Sequence, residues 1–211
     1  SMTINTACAE LRGTQYRELL EHLETVVSSQ RFLEKQGLNN EVPFFICPYR
    51  PEDAVEMDVL RGQLVKRLEQ KSVRILEVNL YDLALEILEE RKLLGRILKA
   101  EGSMPKSKIK ETLQGVLDPE RHLIPAIVER AKNTQFDVMF LSGVGEVFPY
   151  IRSHNVLNNL QSAAKEQPTV MFFPGSYQHQ LATGASLDLF GKLQDDKYYR
   201  AYNILTMKAA A

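Results

Sequence analysis

Residues 136–177 read FDVMFLSGVGEVFPYIRSHNVLNNLQSAAKEQPTVMFFPGSY, and this stretch decides the fold. Two short apolar runs, residues 136–141 and 169–173, flank a polar stretch rich in glycine, histidine, asparagine and arginine. The runs have the length and bulk of buried strands. The stretch between them is expected to be a loop followed by a helix over residues 150–165. Because open α/β sheets bind ligands and partners at the carboxyl edge of their strands, this stretch also indicates where a functional surface is expected.

The rest of the chain continues the alternation of strands and helices. Residues 44–47 and 73–78 are two further strand candidates. Helices are expected over residues 16–35, 51–70, 79–102, 105–113 and 124–132, with Asn79 as an N-cap. An α/β fold is therefore predicted, a mostly parallel sheet with helices on both faces, resembling a P-loop or Rossmann-like core without a phosphate-binding loop. Residues 1–211 are expected to form one such domain, with an N-terminal helix and a basic helical insertion around residues 103–115. The tail after Tyr177 shows turn signals at Gly184 and Gly191.

Composition limits the function classes. The 211 residues carry a net charge of −1, so no global field draws the chain to nucleic acid or membranes. No apolar run approaches the roughly 20 residues that span a bilayer, and no signal peptide opens the chain. The two cysteines, Cys8 and Cys47, form no zinc or disulfide pattern, which favours a reducing cytoplasmic location. Ser1 and Met2 are expected to be a cloning addition.

Two sequence signals for nucleotide binding are absent or incomplete. The first predicted strand is followed by Pro48-Tyr49-Arg50-Pro51-Glu52-Asp53, with neither glycine nor lysine to cradle a phosphate. Gly143 and Gly145 follow a later strand, but Phe148 occupies the third glycine position of a dinucleotide fingerprint. The favoured interpretation is that these glycines permit positive φ in a tight strand-to-helix turn. No cofactor is predicted.

The polar stretch contains the candidate functional side chains. His154 with Glu146 could act as a general acid and base, with Arg152 beside them. Asn155, Asn158 and Asn159, together with Ser162 and Lys165, form the polar side of a helix whose apolar side holds Val156, Leu157, Leu160 and Ala164. Because asparagine is unfavourable inside helices, these residues favour recognition of a partner over a plain solvated face. The alternative is that Glu146, Arg152 and Asn155 pair with one another and with the tail.

Other candidates lie outside that helix. Tyr150, Tyr199 and Arg200 are of the residue types that often anchor protein interfaces. Lys106, Lys108 and Lys110 make the insertion basic, and at most weak, salt-sensitive contact with nucleic acid is expected from them. No nucleophile elbow and no metal-ligand spacing is present, so no catalytic or metal-binding residue is predicted.

Five segments together carry a family resemblance: EVPFFICPY, LQGVLDPERHLIPAI, GVGEVFPYIRSHNVLNNLQ, PTVMFFPG and SLDLFGKLQDDKYYRAYNI. In this order they resemble the BrxB family of the bacteriophage exclusion (BREX) systems of bacteria. The resemblance implies a component that works beside a DNA adenine methyltransferase, an alkaline-phosphatase-like protein called PglZ, a large ATPase and a NusB-like protein. It brings no catalytic motif to this chain, and it implies a non-catalytic adaptor with PglZ as direct partner. A cryptic nucleotide-binding or hydrolytic protein and a nucleic-acid contact module are the alternatives.

Overall fold

A central parallel sheet organises the chain. In the computed structural model the described residues are 4–34, 44–92, 94–100, 102, 105–148, 150–160, 163, 166–180, 184–189, 193–194 and 201–208. The strands run in the order β2-β3-β4-β1-β7, and all four neighbouring pairs are parallel. Their bounds are β1 Phe44–Tyr49, β2 Ile75–Asn79, β3 Val138–Ser142, β4 Thr169–Gln180 and β7 Tyr202–Asn203. The predicted α/β class and all four predicted strands are confirmed.

Both faces of this sheet are buried. Along β1, Phe44 and Ile46 contribute to one apolar cluster, whereas Phe45 and Cys47 contribute to the cluster on the opposite face. Since strands covered on both faces need no polar side, β1 is buried at all six of its positions. This two-sided burial explains the unbroken apolar runs of the sequence.

Helices cover each face. Helices α1 Thr14–Val27, α2 Gln30–Leu33 and α3 Ala54–Gln70 pack on the face of Phe45. Helices α4 Leu80–Glu90, α7 Ile124–Asn133, α8 Val144–Val147 and α9 Ser153–Leu160 pack on the face of Phe44. The helices α5 Leu94–Ala100 and α6 Lys106–Val116 lie between α4 and α7 in the chain. As predicted, Asn79 caps α4, since its Oδ1 accepts hydrogen bonds from the backbone of Tyr81 and Asp82.

Two predicted helices are divided. The helix predicted over residues 16–35 stops at Val27, because the hydroxyls of Ser28 and Ser29 bond back to the carbonyls of Glu24 and Val26. The Ser29 hydroxyl then accepts from the backbone N–H of Phe32 and starts α2. The helix predicted to continue from Asn79 to residue 102 ends at Glu90 and begins again at Leu94, and between them Lys92 has a φ of 55°.

Other differences lie near the chain end. The stretch after β3, predicted as a loop, contains the one-turn helix α8. Gly175, Ser176 and His179 belong to the second half of β4, which pairs antiparallel with β5 Gly184–Leu189. Strand β5 in turn pairs with β6 Leu193–Gln194. The short strand β7 was not predicted at all. The described part of the helix predicted over residues 150–165 runs from Ser153 to Leu160.

Candidate functional site

The end of β1 has no phosphate cradle. Residues Pro51–Asp53 form a turn of 3-10 helix that leads into α3. Pro51 has no N–H, and the neighbouring N–H groups of Asp53 and Arg50 donate to Arg50 O and Ala9 O, both at 2.9 Å. A phosphate loop needs such N–H groups turned towards the ligand. The geometry therefore agrees with the prediction from Pro48 and Pro51 that this turn is not a phosphate loop.

The N-terminal segment crosses the carboxyl edge at this point. Ala9 forms a parallel bridge with Tyr49, and its N–H donates to Pro48 O at 2.9 Å. Further along β4, Tyr177 N donates to Ala7 O at 3.1 Å. The side-chain amide of Asn203, at the end of β7, donates to the carbonyl of Thr6. Residues 6–11, which we call the N-terminal strap, thus occupy the edge of β4, β1 and β7.

Asp53 anchors the strap to α3. Its carboxylate is buried, and Oδ2 accepts a hydrogen bond from Leu11 N at 3.0 Å. The Arg12 Nε lies 3.8 Å from Asp53 Oδ1, although the Arg12 side chain is largely exposed. A buried carboxylate needs such partners, since a buried charge without them is strongly destabilising.

The pKa values of both cysteine thiols are raised. Burial raises the pKa of the Cys8 thiol to about 11, against the opposing effect of its hydrogen bond with Ser176. Burial also raises the pKa of Cys47, which is fully enclosed in the sheet. Because the thiolate is the reactive form, neither cysteine is an activated nucleophile at neutral pH.

The corner between β2 and β3 is tightly packed. Gly143 directly follows β3 and has a φ of 74°, as the glycine interpretation predicted, whereas Gly145 lies within α8. A Cβ at Gly143 would stand 2.3 Å from Asn79 Oδ1 and 3.0 Å from Tyr81 N. Glycine is therefore required here both by the backbone angle and by the neighbouring cap of α4.

The predicted surface residues of α8 and α9 differ in exposure. Glu146 and Arg152 are exposed, whereas Tyr150, Asn155, Asn158 and Asn159 are half-buried. His154 is buried, so it belongs to the inner side of α9 rather than to the predicted surface. Asn159 Nδ2 donates to Asn155 O at 2.7 Å, which uses one amide within the helix itself. Tyr199 and Arg200 lie outside the described residues, as do Ser162, Ala164 and Lys165.

The charge of Glu146 affects the pKa of Tyr49, the last residue of β1. The pKa of the Tyr49 hydroxyl is raised above its usual range, first by burial, then by the negative charges of Glu146 and Asp58. The Arg61 guanidinium acts on Tyr49 in the opposite direction. Charges from α8 (Glu146) and from α3 (Asp58 and Arg61) thus affect the pKa of Tyr49. Asp58 and Arg61 were missed because, in sequence, they are ordinary polar positions of an amphipathic helix.

The basic insertion has no single charged face. Lys106, Lys108 and Lys110 are all exposed, and α6 has no buried residue. Residues four apart share one side of a helix, so Lys106 and Lys110 lie together while Lys108 lies on the far side. The three lysines therefore do not form the one basic surface that nucleic-acid contact by this helix would use.

Neither a metal cluster nor a membrane span is found in the described part of the chain. Among those residues, no group of at least three histidine, cysteine, aspartate or glutamate side chains could hold a metal ion. Within the same residues, no helix combines the length and apolar character that crossing a bilayer requires.

Comparisons with known proteins agree on one family. The profile of the family described as "BREX protein BrxB" matches residues 76–204. A BREX protein BrxB from Bacillus cereus (strain H3081.97) is 36% identical over 195 residues, which cover 89% of this chain and 96% of that protein. A second, from Escherichia coli O9:H4 (strain HS), is 26% identical over 191 residues, 90% of this chain and 91% of that protein. No solved structure matches significantly.

Proposed function

Since the chain belongs to the BrxB family and is a component of a BREX phage-defence system, we propose that it is a non-catalytic adaptor that binds PglZ in the cytoplasm. The N-terminal strap is the observation that carries this proposal. In a nucleotide-binding α/β protein the carboxyl edge beyond the first strand holds the phosphates. Here the same edge is filled by backbone from Thr6 to Leu11, which is hydrogen-bonded to three strands.

The exposed side chains of α8 and of the turn before α9 support an assembly role. Glu146 and Arg152 are exposed on either side of Tyr150, and α8 and α9 fix the backbone that presents them. Arginine can bind a partner carboxylate through two parallel hydrogen bonds. A half-buried tyrosine adds contact area with little loss of side-chain entropy. Recognition by such a surface requires neither a cofactor nor a catalytic residue.

The ATP-binding alternative makes an opposite prediction. We expect isothermal titration of the purified chain with ATP and magnesium to show no saturable heat below millimolar nucleotide, because in the turn Pro51–Asp53 the proline has no N–H and the N–H of Asp53 donates to Arg50 O. The PglZ-bound chain should give the same result. A micromolar dissociation constant in either titration would replace the adaptor role by a nucleotide sensor.

Co-elution tests the adaptor role itself. We expect the chain and PglZ, purified separately and mixed at micromolar concentration, to elute together from a size-exclusion column ahead of either protein alone. The other BREX proteins, mixed with the chain one by one, serve as controls. Separate elution of PglZ with co-elution of another component would keep the adaptor role but reject PglZ. Separate elution from every component would reject the proposal.

A further inference from the structure

The outer face of helix α3 carries uncovered apolar side chains. Among the described residues, the large apolar side chains with the greatest exposure are Val55 at 73% and Val59 at 54%. They are four residues apart, so they lie on the same side of the helix, opposite the buried Leu60 and Leu64. Gly62 continues this line one turn later. Single exposed apolar residues are ordinary, but two neighbours beside a glycine make one continuous face of a single helix.

Gly62 is the midpoint of α3. The helix has 17 residues, from Ala54 to Gln70, and Gly62 is the ninth from either end. Glycine weakens a helix relative to other residues. Gly62 has neither the positive φ nor the close neighbour that makes glycine necessary at Gly143, because an added Cβ would meet nothing within 4 Å. A second helix that crosses α3 at this point supplies a reason for glycine, since the distance between packed helices depends on the side chains at their contact.

Charged side chains of opposite sign flank Gly62 at equal distances. Asp58 and Lys66 each lie four residues from Gly62, which is roughly 6 Å along the helix axis in either direction. The Asp58 side chain is 63% exposed, although its Oδ1 accepts a hydrogen bond from Arg61 at 3.0 Å. Lys66 is exposed, and it takes part in no ion pair within the part of the chain that the structure describes. A second α3 that runs in the opposite direction through Gly62 would place its Lys66 level with this Asp58.

We propose that two copies of this chain associate through α3, with the two helices antiparallel and a two-fold axis at Gly62. Such an interface uses the same face of both copies, so every contact occurs twice. Val59 of each copy packs beside Gly62 of the other, and Asp58 of each copy pairs with Lys66 of the other. The antiparallel arrangement also sets the two helix dipoles in opposite directions. Glu69 lies near the end of α3 and keeps its carboxylate in water.

The described neighbours of α3 contact it at its sides. Helix α1 reaches it through the Tyr16 hydroxyl, which donates to Gln63 Oε1 at 2.6 Å. Strand β2 reaches it through Glu77, whose Oε1 is 3.6 Å from the Nε of Arg61. Helices α8 and α9 pack on the opposite face of the sheet, that of Phe44, so a pair of copies presents their exposed side chains twice. The inference therefore goes beyond the adaptor role, and it makes the adaptor bivalent.

The association is expected to be weak. Stable interfaces bury about 800 Å² on each partner. A pair of 17-residue helices, each about 25 Å long, offers less. A dissociation constant on the order of 10 to 100 μM is therefore expected, and the chain should be monomeric at low micromolar concentration.

Charge reversal tests the pairing of Asp58 with Lys66. Sedimentation velocity of the full chain over about 5 to 500 μM is the measurement. Asp58→Lys sets lysine against lysine and Lys66→Asp sets aspartate against aspartate, so each variant alone is expected to stay monomeric. In an equal mixture one chain presents lysine at both positions and the other presents aspartate at both, so the mixture is expected to form heterodimers. Since Arg61 keeps Glu77 as a partner, Asp58→Lys should fold normally.

Two further variants separate association from folding. Gly62→Leu fills open space and replaces a poor helix former by a good one, so its melting temperature should be at least that of the wild type. Its dissociation constant for self-association should nevertheless rise at least about tenfold. Lys132→Asp is the matched control for Lys66→Asp, since Lys132 is exposed on α7 at the opposite face of the sheet. It should associate as the wild type does.

Three results would overturn the inference. The first is a wild-type chain that remains monomeric at about 500 μM. The second is wild-type association in Gly62→Leu, which would place any dimer contact elsewhere. The third is association that both charge reversals abolish and their mixture does not restore, which would reject the antiparallel two-fold pairing. None of these measurements contains PglZ, so failure of the inference leaves the proposed function standing.

Discussion

Gly143→Ala is expected to lower the free energy of unfolding by about 3 kcal/mol. An alanine in the left-handed region costs roughly 1–2 kcal/mol, and loss of an N-cap costs roughly 0.5–2 kcal/mol. Both apply here, because the backbone has a φ of 74° and the added Cβ would stand 2.3 Å from Asn79 Oδ1. Urea denaturation followed by circular dichroism measures the loss.

Gly62→Ala is the matched control for Gly143→Ala. Gly62 lies inside α3, and no atom lies within 4 Å of an added Cβ, so alanine should stabilise by roughly 0.5–1 kcal/mol. In an Asn79→Ala background, Gly143→Ala should cost less than in the wild type, because the clashing amide is gone. Equal costs in both backgrounds would show that the contact with Asn79 contributes nothing.

Asp53→Ala is expected to destabilise the protein by roughly 2–3 kcal/mol. The substitution removes the acceptor of the Leu11 N–H, and a buried donor without an acceptor costs roughly 1–3 kcal/mol. The nearby Arg12 also loses its carboxylate. Since Asp53 holds the end of the N-terminal strap, protease cleavage within residues 4–12 should accelerate in the variant.

The neighbouring Glu52 provides the control for Asp53→Ala. Its carboxylate is exposed and contacts Arg50 at the surface, so Glu52→Ala should leave the melting temperature essentially unchanged. Asp53→Asn keeps an oxygen acceptor and should fall between the wild type and Asp53→Ala. Equal melting temperatures for Asp53→Ala and Glu52→Ala would mean that the strap is not anchored by this carboxylate.

Local sequence patterns were enough to predict the sheet core and the corner formed by Asn79 and Gly143. Residues such as Phe44 and Phe173 lie in runs that are apolar on both faces, so strand and burial follow together. Asn79 precedes a helical pattern directly, and its cap was predicted from that position alone. The turn at Gly143 follows equally from glycine after a strand.

The strap could not be predicted, because its contacts join distant parts of the chain. The Leu11 to Asp53 hydrogen bond spans 42 positions, and that from Asn203 to Thr6 spans 197. No local periodicity records such pairings. Strand β7 has only two residues, too few to show an alternation.

Helical periodicity in α9 predicts that His154 is buried. Residues three apart lie on one side of a helix, and His154 precedes Leu157, which is fully buried. Asn155 stands in the same relation to Asn158, and both are only half-buried. The polar composition of this stretch suggested an exposed histidine, although His154 lies on the buried side of α9.

The most direct test of the adaptor claim is the affinity of PglZ for Arg152→Ala, measured together with the melting temperature of the variant. Arg17→Ala, an exposed arginine on α1 at the opposite face of the sheet, is the control. Asn158→Ala tests the neighbouring half-buried amide in the same way. We predict a dissociation constant for Arg152→Ala raised at least about tenfold, with an unchanged melting temperature and unchanged binding by Arg17→Ala. Wild-type affinity and intact phage defence in both Arg152→Ala and Asn158→Ala would contradict the account.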